Sequence, residues 1–210
     1  MQQKRRLIII PIIHTHADYG ENLGSKIPFD EKIEALKAQY WRNVFDYIKG
    51  LPLDYPELKV YQDGLPNVSP ELVTYVVDRA KPVNYDILRW LRTQGANIVG
   101  TENPELLDKE YNLLQATLIT HSTEEEYAEA RLNYNRMKPI FSEIRSEDIA
   151  QRIKATLPEG GMGILFIGLA HQVKRLLEQE MEVSEPEALI GGSSETLRKK
   201  LGLYGKERGL

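Results

Sequence analysis

The chain contains no cysteine, and this absence removes several kinds of chemistry at once. Disulfide bonds, thiolate metal sites and a cysteine nucleophile are all excluded. Histidine is also scarce, with four in 210 residues. Any metal would therefore have to be held by a small set of histidines together with Asp and Glu.

Long apolar runs and an excess of positive charge are also missing. No stretch approaches the ~20 apolar residues that span a bilayer, so we expect no membrane partner. The net charge is −4 at pH 7, which offers no broad basic field and makes nucleic acid an unexpected partner. The apolar run 7–13 follows Lys4, Arg5 and Arg6 as in a signal peptide, but it is short, contains Pro11 and leads into histidines. We interpret it as a first strand and expect a cytoplasmic protein.

Familiar nucleotide and hydrolase motifs are absent too. The sequence has no GxGxxG after a strand and no GxxxxGK[ST], so the usual phosphate-binding glycine loops have no support. No GxSxG elbow indicates a serine hydrolase. The HTH tripeptide at 14–16 resembles metal-dependent TIM-barrel hydrolases, but 210 residues fall short of a whole barrel.

What the sequence does contain is an alternation of strand and helix patterns. We predict strands over 7–13, 58–63, 96–102 and 163–167, and helices over 30–48, after the cap Ser69 and after the cap Asn84. Crossovers long enough for helices favour parallel pairing. The prediction is a single α/β domain, 1–210, with a mostly parallel central sheet flanked by helices.

A long polar region separates the third predicted strand from the last one. Pro104 opens it, and the Ser122–Glu125 stretch has the form of a capping box that restarts a helix. We predict two or three helices over 104–157, inserted into the domain as a hairpin or lid.

Polar chemistry gathers where the predicted strands end. His14, His16 and Asp18 follow the first strand, and three further groups, Asp63, Glu102 and His171, follow the others. In parallel α/β sheets, ligands bind at this carboxyl edge. Imidazoles and carboxylates together suit a divalent ion such as manganese, zinc or iron, which could activate a bound water. The predicted metal ligands are His14, His16, Asp18, Glu102 and His171.

Each of these residues also has a structural interpretation. A His-x-His pair can cap a loop, and His171 can be an N-terminal packing residue of the following helix. Asp63 before Gly64 suits a turn, and Glu102 before Asn103 and Pro104 suits a helix start. Their interest depends on whether the fold brings them together.

The segment 145–171 reads RSEDIAQRIKATLPEGGMGILFIGLAH. It resembles a closing motif of one superfamily, which includes the TraB/PrgY proteins, the ChaN-like haem-binding proteins, the erythromycin esterases and the Tiki proteases. Arg145 opens a helix, a loop and strand follow, and Gly168 with His171 forms a Gly-x-x-His. The 11–14 stretch, PIIH, matches a first such motif with Pro11 in place of glycine. Asp63 stands where the superfamily has an acid.

The resemblance implies that His14 and His171 face each other, with Arg145 and either Asp63 or Glu102 nearby. The predicted catalytic residues are His14, His171, Arg145 and Asp63, with Arg145 steadying an oxyanion or an acidic substrate group. The first hypothesis is a metal-assisted hydrolase of a small molecule or peptide. The second is a non-catalytic binding protein for a ligand such as haem or a signalling molecule. A homo-oligomer is compatible with either.

Overall fold

Five parallel strands form one sheet in the computed structural model, which describes residues 4–15, 30–117 and 123–186. The strands are β1 (Arg6–Ile12), β2 (Lys59–Pro66), β3 (Asn97–Glu102), β4 (Met162–Gly168) and β5 (Glu182–Ser184). Their order is β3-β2-β4-β1-β5, and every pairing is parallel. The predicted α/β fold is confirmed. The short edge strand β5 was not predicted.

Six α-helices accompany the sheet in the described ranges. They are α1 (Glu31–Gly50), α2 (Pro70–Arg79), α3 (Val83–Thr93), α4 (Pro104–Ala116), α5 (Glu124–Thr156) and α6 (Val173–Leu177). None of them is both long enough and apolar enough to cross a membrane.

Helix α1 holds the end of β1 in place. The Asp30 side chain accepts from the backbone N–H groups of Lys32 and Ile33 and so caps the helix. The Tyr40 hydroxyl donates to the carbonyl of Pro11 at 2.6 Å, and the Trp41 indole donates to the carbonyl of Ile13 at 3.0 Å. These bonds satisfy backbone groups just where the strand stops, which sets the chain direction ahead of His14.

The predicted start of α3 is wrong. The helix begins at Val83 with Pro82 as its N-cap, so Asn84 lies inside it. Asn84 is buried, and its side-chain amide donates to Gln62 Oε1 at 2.8 Å. The side chain is used in a tertiary contact with β2, and a capping pattern in the sequence cannot reveal that.

Both faces of the sheet are covered. One apolar layer lies between the sheet and α1 to α3, and the other lies between the sheet and the helices α5 and α6. Ile149 and Ile153 of α5 sit at i, i+4 spacing and are fully buried against Leu7, Ile9 and Tyr61. The C-terminal part of α5 is therefore a core helix of the domain, and the helical insertion over 104–157 stays a prediction.

Candidate functional site

A bulge at the end of β2 shapes the first part of the site. The pairing register with β3 shifts between Gln62 and Pro66, and Gly64 within the bulge has a φ of +76°. Glycine adopts this left-handed conformation without steric cost. The bulge frees the Gly64 N–H, which donates to Glu102 Oε1 at the end of β3.

Gly100 allows β3 to approach this bulge. A Cβ atom at Gly100 would lie 2.0 Å from the carbonyl oxygen of Pro66, which is far inside van der Waals contact. The ends of β2 and β3 can therefore come together only with glycine here. Asp63 and Glu102 are neighbours as a result.

Arg145 of α5 lies at the centre of an arginine cluster, by which we mean Arg145, Asp63, Glu102 and Glu110. Its Nη2 donates to Asp63 Oδ1 at 2.6 Å and to Glu102 Oε1 at 3.0 Å. Its Nε donates to Glu102 Oε2, and its Nη1 donates to Glu110 Oε2 of α4. These four bonds use all but one of the N–H groups of a guanidinium. The arginine thereby joins β2, β3, α4 and α5.

The arginine cluster is largely buried, with Arg145, Asp63 and Glu110 between 12% and 19% exposed, and it carries more negative than positive charge. Three carboxylates face one guanidinium, and the Glu102 side chain is 1% exposed. Burial, together with the charge of Asp63, raises the pKa of Glu102 to about 7 despite the bonds from Arg145. Burial alone would lower the pKa of Arg145, but the three carboxylates raise it well above its usual value, so it stays charged.

Asp63 also connects the arginine cluster to the second part of the site. Its Oδ2 accepts the backbone N–H of Gly168 at 2.8 Å and lies 3.6 Å from His171 Nε2. Burial raises the pKa of Asp63, but the positive charges of a protonated His171 and of Arg145 and the Gly168 N–H lower it by more. The carboxyl group therefore stays ionised beside the imidazole.

His171 lies just before α6, at the end of β4. Its side chain is 5% exposed, and its Nδ1 is 3.0 Å from the hydroxyl of Ser146 on α5. Burial lowers the pKa of His171 and outweighs the opposing effect of Asp63, while Arg145 lowers it further. The ring is therefore neutral at neutral pH and has an unprotonated nitrogen.

Two adjoining clefts open onto these groups. The first, of about 430 Å³, is lined by Asp63, Glu110, Arg145 and His171 together with His14 at the end of β1. The second, of about 500 Å³, runs between α5 and the β4–α6 connection and includes Ser146 and Arg175 in its lining. Lys138, Ser142 and Ala170 line both. An extended molecule could occupy both clefts at once.

Most of the residues chosen from strand ends and from the resemblance lie in one place. Asp63, Glu102, Arg145 and His171 are joined through direct contacts. His14 follows β1 with an exposed side chain and lines the first cleft without belonging to the arginine cluster. The predictions for His16 and Asp18 fall outside the described residues.

Sequence reasoning missed Glu110 and Ser146. Glu110 is one of several acids on α4, and nothing in the local pattern separates it from Glu105 or Asp108. Ser146 follows Arg145 in the chain, but its contact with His171 depends on how α5 packs. Neither contact has a sequence signal of its own.

The described residues do not provide a complete set of ligands for a divalent metal. In the described ranges no group of three or more His, Asp or Glu side chains has the arrangement to hold an ion. Glu102, a predicted ligand, has both oxygens bonded to Arg145, and one of them also to Gly64. His171 Nε2 and Asp63 Oδ2 remain as two possible metal-ligand atoms, 3.6 Å apart.

Comparisons with protein-family models, curated proteins and solved structures found no match to this chain.

Proposed function

We propose that the protein is a hydrolase of a small molecule or peptide, with His171 as the general base. The observation that carries this is the position of His171 Nε2, which faces the ionised carboxylate of Asp63 at 3.6 Å in the lining of a cleft. A neutral imidazole beside a fixed carboxylate is suited to take a proton from water, since the carboxylate stabilises the imidazolium that forms.

In the proposed reaction, His171 removes a proton from a water molecule as the water oxygen attacks the carbonyl carbon of an ester or amide. The bond between that carbon and the leaving group then breaks, and the protonated His171 returns its proton to the leaving oxygen or nitrogen. Asp63 remains ionised throughout because Arg145 and the Gly168 N–H hold its charge.

The role proposed for Arg145 differs from the one that the resemblance implied. With four of its hydrogen bonds made to carboxylates, it has little capacity left to steady an oxyanion. We assign it to holding Asp63 in position. His14 lines the same cleft, and we assign it a contact with the substrate.

The predicted divalent metal stays a prediction, and no step above depends on it. The described ligands do not form a complete site, so the proposal uses the side chains of His171 and Asp63. The alternative of a non-catalytic protein for haem or a signalling molecule also stays a prediction, since no contact within the described ranges favours it over hydrolysis.

Turnover of defined probes tests the proposal. The probes are p-nitrophenyl acetate, p-nitrophenyl butyrate and a set of fluorogenic peptide amides, assayed after EDTA treatment and again with manganese, zinc or iron. We expect His171→Gln to lose roughly 100-fold in kcat, which is at the lower end of what a general base contributes. Lys49→Gln, at an exposed position outside the cleft lining, is the matched control and should keep full activity.

Equal turnover by the wild type and His171→Gln would contradict the role of His171. Absence of turnover by the wild type across all probes and metals would count against a hydrolase and favour the binding alternative. Activity that appears only with a metal, together with near-stoichiometric metal by inductively coupled plasma mass spectrometry, would restore the metal-assisted mechanism.

A further inference from the structure

We propose that Ser146 is a positioning residue that holds His171 in the Nδ1–H tautomer and so leaves the lone pair of Nε2 facing Asp63 and the cleft. This inference rests on the proposed function for its meaning, but it concerns an atom-level property of His171 that is measurable without a substrate. It adds a residue to the site that the strand-end pattern did not select.

The direction of the hydrogen bonds around Ser146 decides the tautomer. Its hydroxyl oxygen lies 2.5 Å from the Ser142 carbonyl oxygen, 3.0 Å from His171 Nδ1 and 3.3 Å from the Gln172 backbone nitrogen. A hydroxyl has one proton to donate and two lone pairs that accept. A backbone carbonyl can only accept, and a backbone N–H can only donate.

Two oxygens at 2.5 Å need a proton between them, so the Ser146 proton belongs to the bond with Ser142. The Gln172 N–H donates to one lone pair of the Ser146 oxygen. The second lone pair is left for His171, so Nδ1 must be the donor in that contact. A neutral ring that is protonated at Nδ1 is unprotonated at Nε2.

This assignment places two acceptors opposite each other on the cleft side of the ring. Nε2 and Asp63 Oδ2 are 3.6 Å apart, which is too long for a direct hydrogen bond. Asp63 already accepts from Gly168 and Arg145, so its position does not depend on the imidazole. A water molecule or a substrate hydroxyl could donate to Nε2 here, as a general base requires.

Other charged groups facing the ring do not change the assignment. Burial has the largest effect on the pKa of His171 and disfavours the imidazolium, as does Arg145, whereas Asp63, Glu110 and the backbone of Ser142 favour it. The ring is therefore neutral over the range in which the tautomer matters. Ser146 is 3% exposed, so bulk water does not compete for its hydroxyl.

Long-range proton–nitrogen NMR on protein labelled with nitrogen-15 histidine tests the proposal on the full chain. The chain has four histidines, and the signals of His171 are assigned by their absence in His171→Gln. At a pH above its pKa, we expect the wild type to show Nε2 with the shift of an unprotonated nitrogen and Nδ1 with that of a protonated one. In Ser146→Ala, the populations should move toward the Nε2–H tautomer that free imidazole side chains favour.

Two further variants separate positioning from a merely structural role. Ser142→Ala loses a hydroxyl one turn away that donates to the Ala170 carbonyl, yet it keeps the carbonyl that Ser146 uses, so its tautomer should match the wild type. Ser146→Thr keeps a hydroxyl and should restore the Nδ1–H form. An unchanged tautomer in a folded Ser146→Ala protein, or an equal change in Ser142→Ala, would overturn the proposal.

The tautomer measurement and the turnover assay fail independently. If the probes are hydrolysed and Ser146→Ala keeps the Nδ1–H form, the positioning role is refuted while the hydrolase stands. If no probe is turned over and the tautomer changes as expected, the hydrolase is refuted while the contact stands. If both hold, kcat of Ser146→Ala should fall by roughly tenfold or more, with KM little changed. The reason is that Nε2 then carries the proton and has no lone pair to accept one from water.

Discussion

Replacing Arg145 by methionine removes the one positive charge of the arginine cluster. Asp63, Glu102 and Glu110 would then lie together in a site where the most buried side chain is 1% exposed. Removing one partner of a buried ion pair costs about 3–5 kcal/mol of stability, because the remaining charge loses its compensation. We expect a loss in that range at pH 8, against a total of about 5–15 kcal/mol for an ordinary domain.

The loss should depend on pH, and the sign follows from the carboxylates. Without Arg145, the pKa of Asp63 in the folded state rises above its unfolded value, and the pKa of Glu102, which burial already raises to about 7, rises further. The folded variant therefore binds more protons than its unfolded chain over a wider pH range than the wild type does. Stability then falls as pH rises, by up to about 1.4 kcal/mol per pH unit for each carboxylate involved. The defect should therefore be smaller at pH 5 than at pH 8.

Urea unfolding followed by the fluorescence of Trp41 and Trp90 measures both effects. Arg92→Met is the matched control, since Arg92 makes a single ion pair with the half-exposed Asp78 and should cost about 0–1 kcal/mol. A loss below about 1 kcal/mol for Arg145→Met at pH 8, with an unchanged m-value, would refute the account of the arginine cluster.

Two other substitutions test separate parts of the site. The folded-state pKa of Glu102 is about 7 and its unfolded value is 4.5, so the wild type should lose about 3 kcal/mol of stability as the pH rises from 4.5 to 7. Glu102→Gln should remove this decline, because the amide does not titrate. Urea unfolding at pH 5 and 8 measures it, with the exposed Glu57→Gln as control, and a decline that persisted in Glu102→Gln would contradict the prediction. Gly168→Ala places a Cβ 2.9 Å from Asp63 Oδ2, so we expect lower turnover of the probe esters and a shifted His171 pKa by NMR. Gly50→Ala has open space around its new methyl group and should change neither the turnover nor the pKa of His171. Wild-type turnover and a wild-type His171 pKa in Gly168→Ala would contradict the prediction, because they would show that Asp63 moves to accommodate the methyl group.

The strand-end rule selected Asp63, Glu102 and His171 because local features of the sequence mark where each strand stops. Apolar runs are visible without any tertiary information, and parallel pairing then brings their carboxyl ends to one edge. Arg145 came from the resemblance, since an arginine inside a polar helix has no local feature that indicates a buried role. The contacts among these residues are consistent with that choice of site.

Glu110 and Ser146 could not be chosen in the same way. Helix α4 carries acids on several sides, and which of them reaches Arg145 is decided by how α4 packs against α5. Asn84 illustrates the opposite failure, because a residue typical of a helix cap is instead buried against Gln62. The local sequence around a side chain does not indicate whether that side chain makes a contact with a distant part of the chain.

The sequence by itself determined the alternation of strands and helices, the parallel sheet and the polar character of its carboxyl edge, because these follow from the spacing of apolar residues along a single chain. The tertiary structure alone decided that one guanidinium joins three carboxylates, that the end of α5 belongs to the core, and that Ser146 meets His171. The reason is physical, because hydrogen-bond direction, burial and charge balance depend on groups that are far apart in the chain. Asp63 and Gly168, for example, are 105 residues apart.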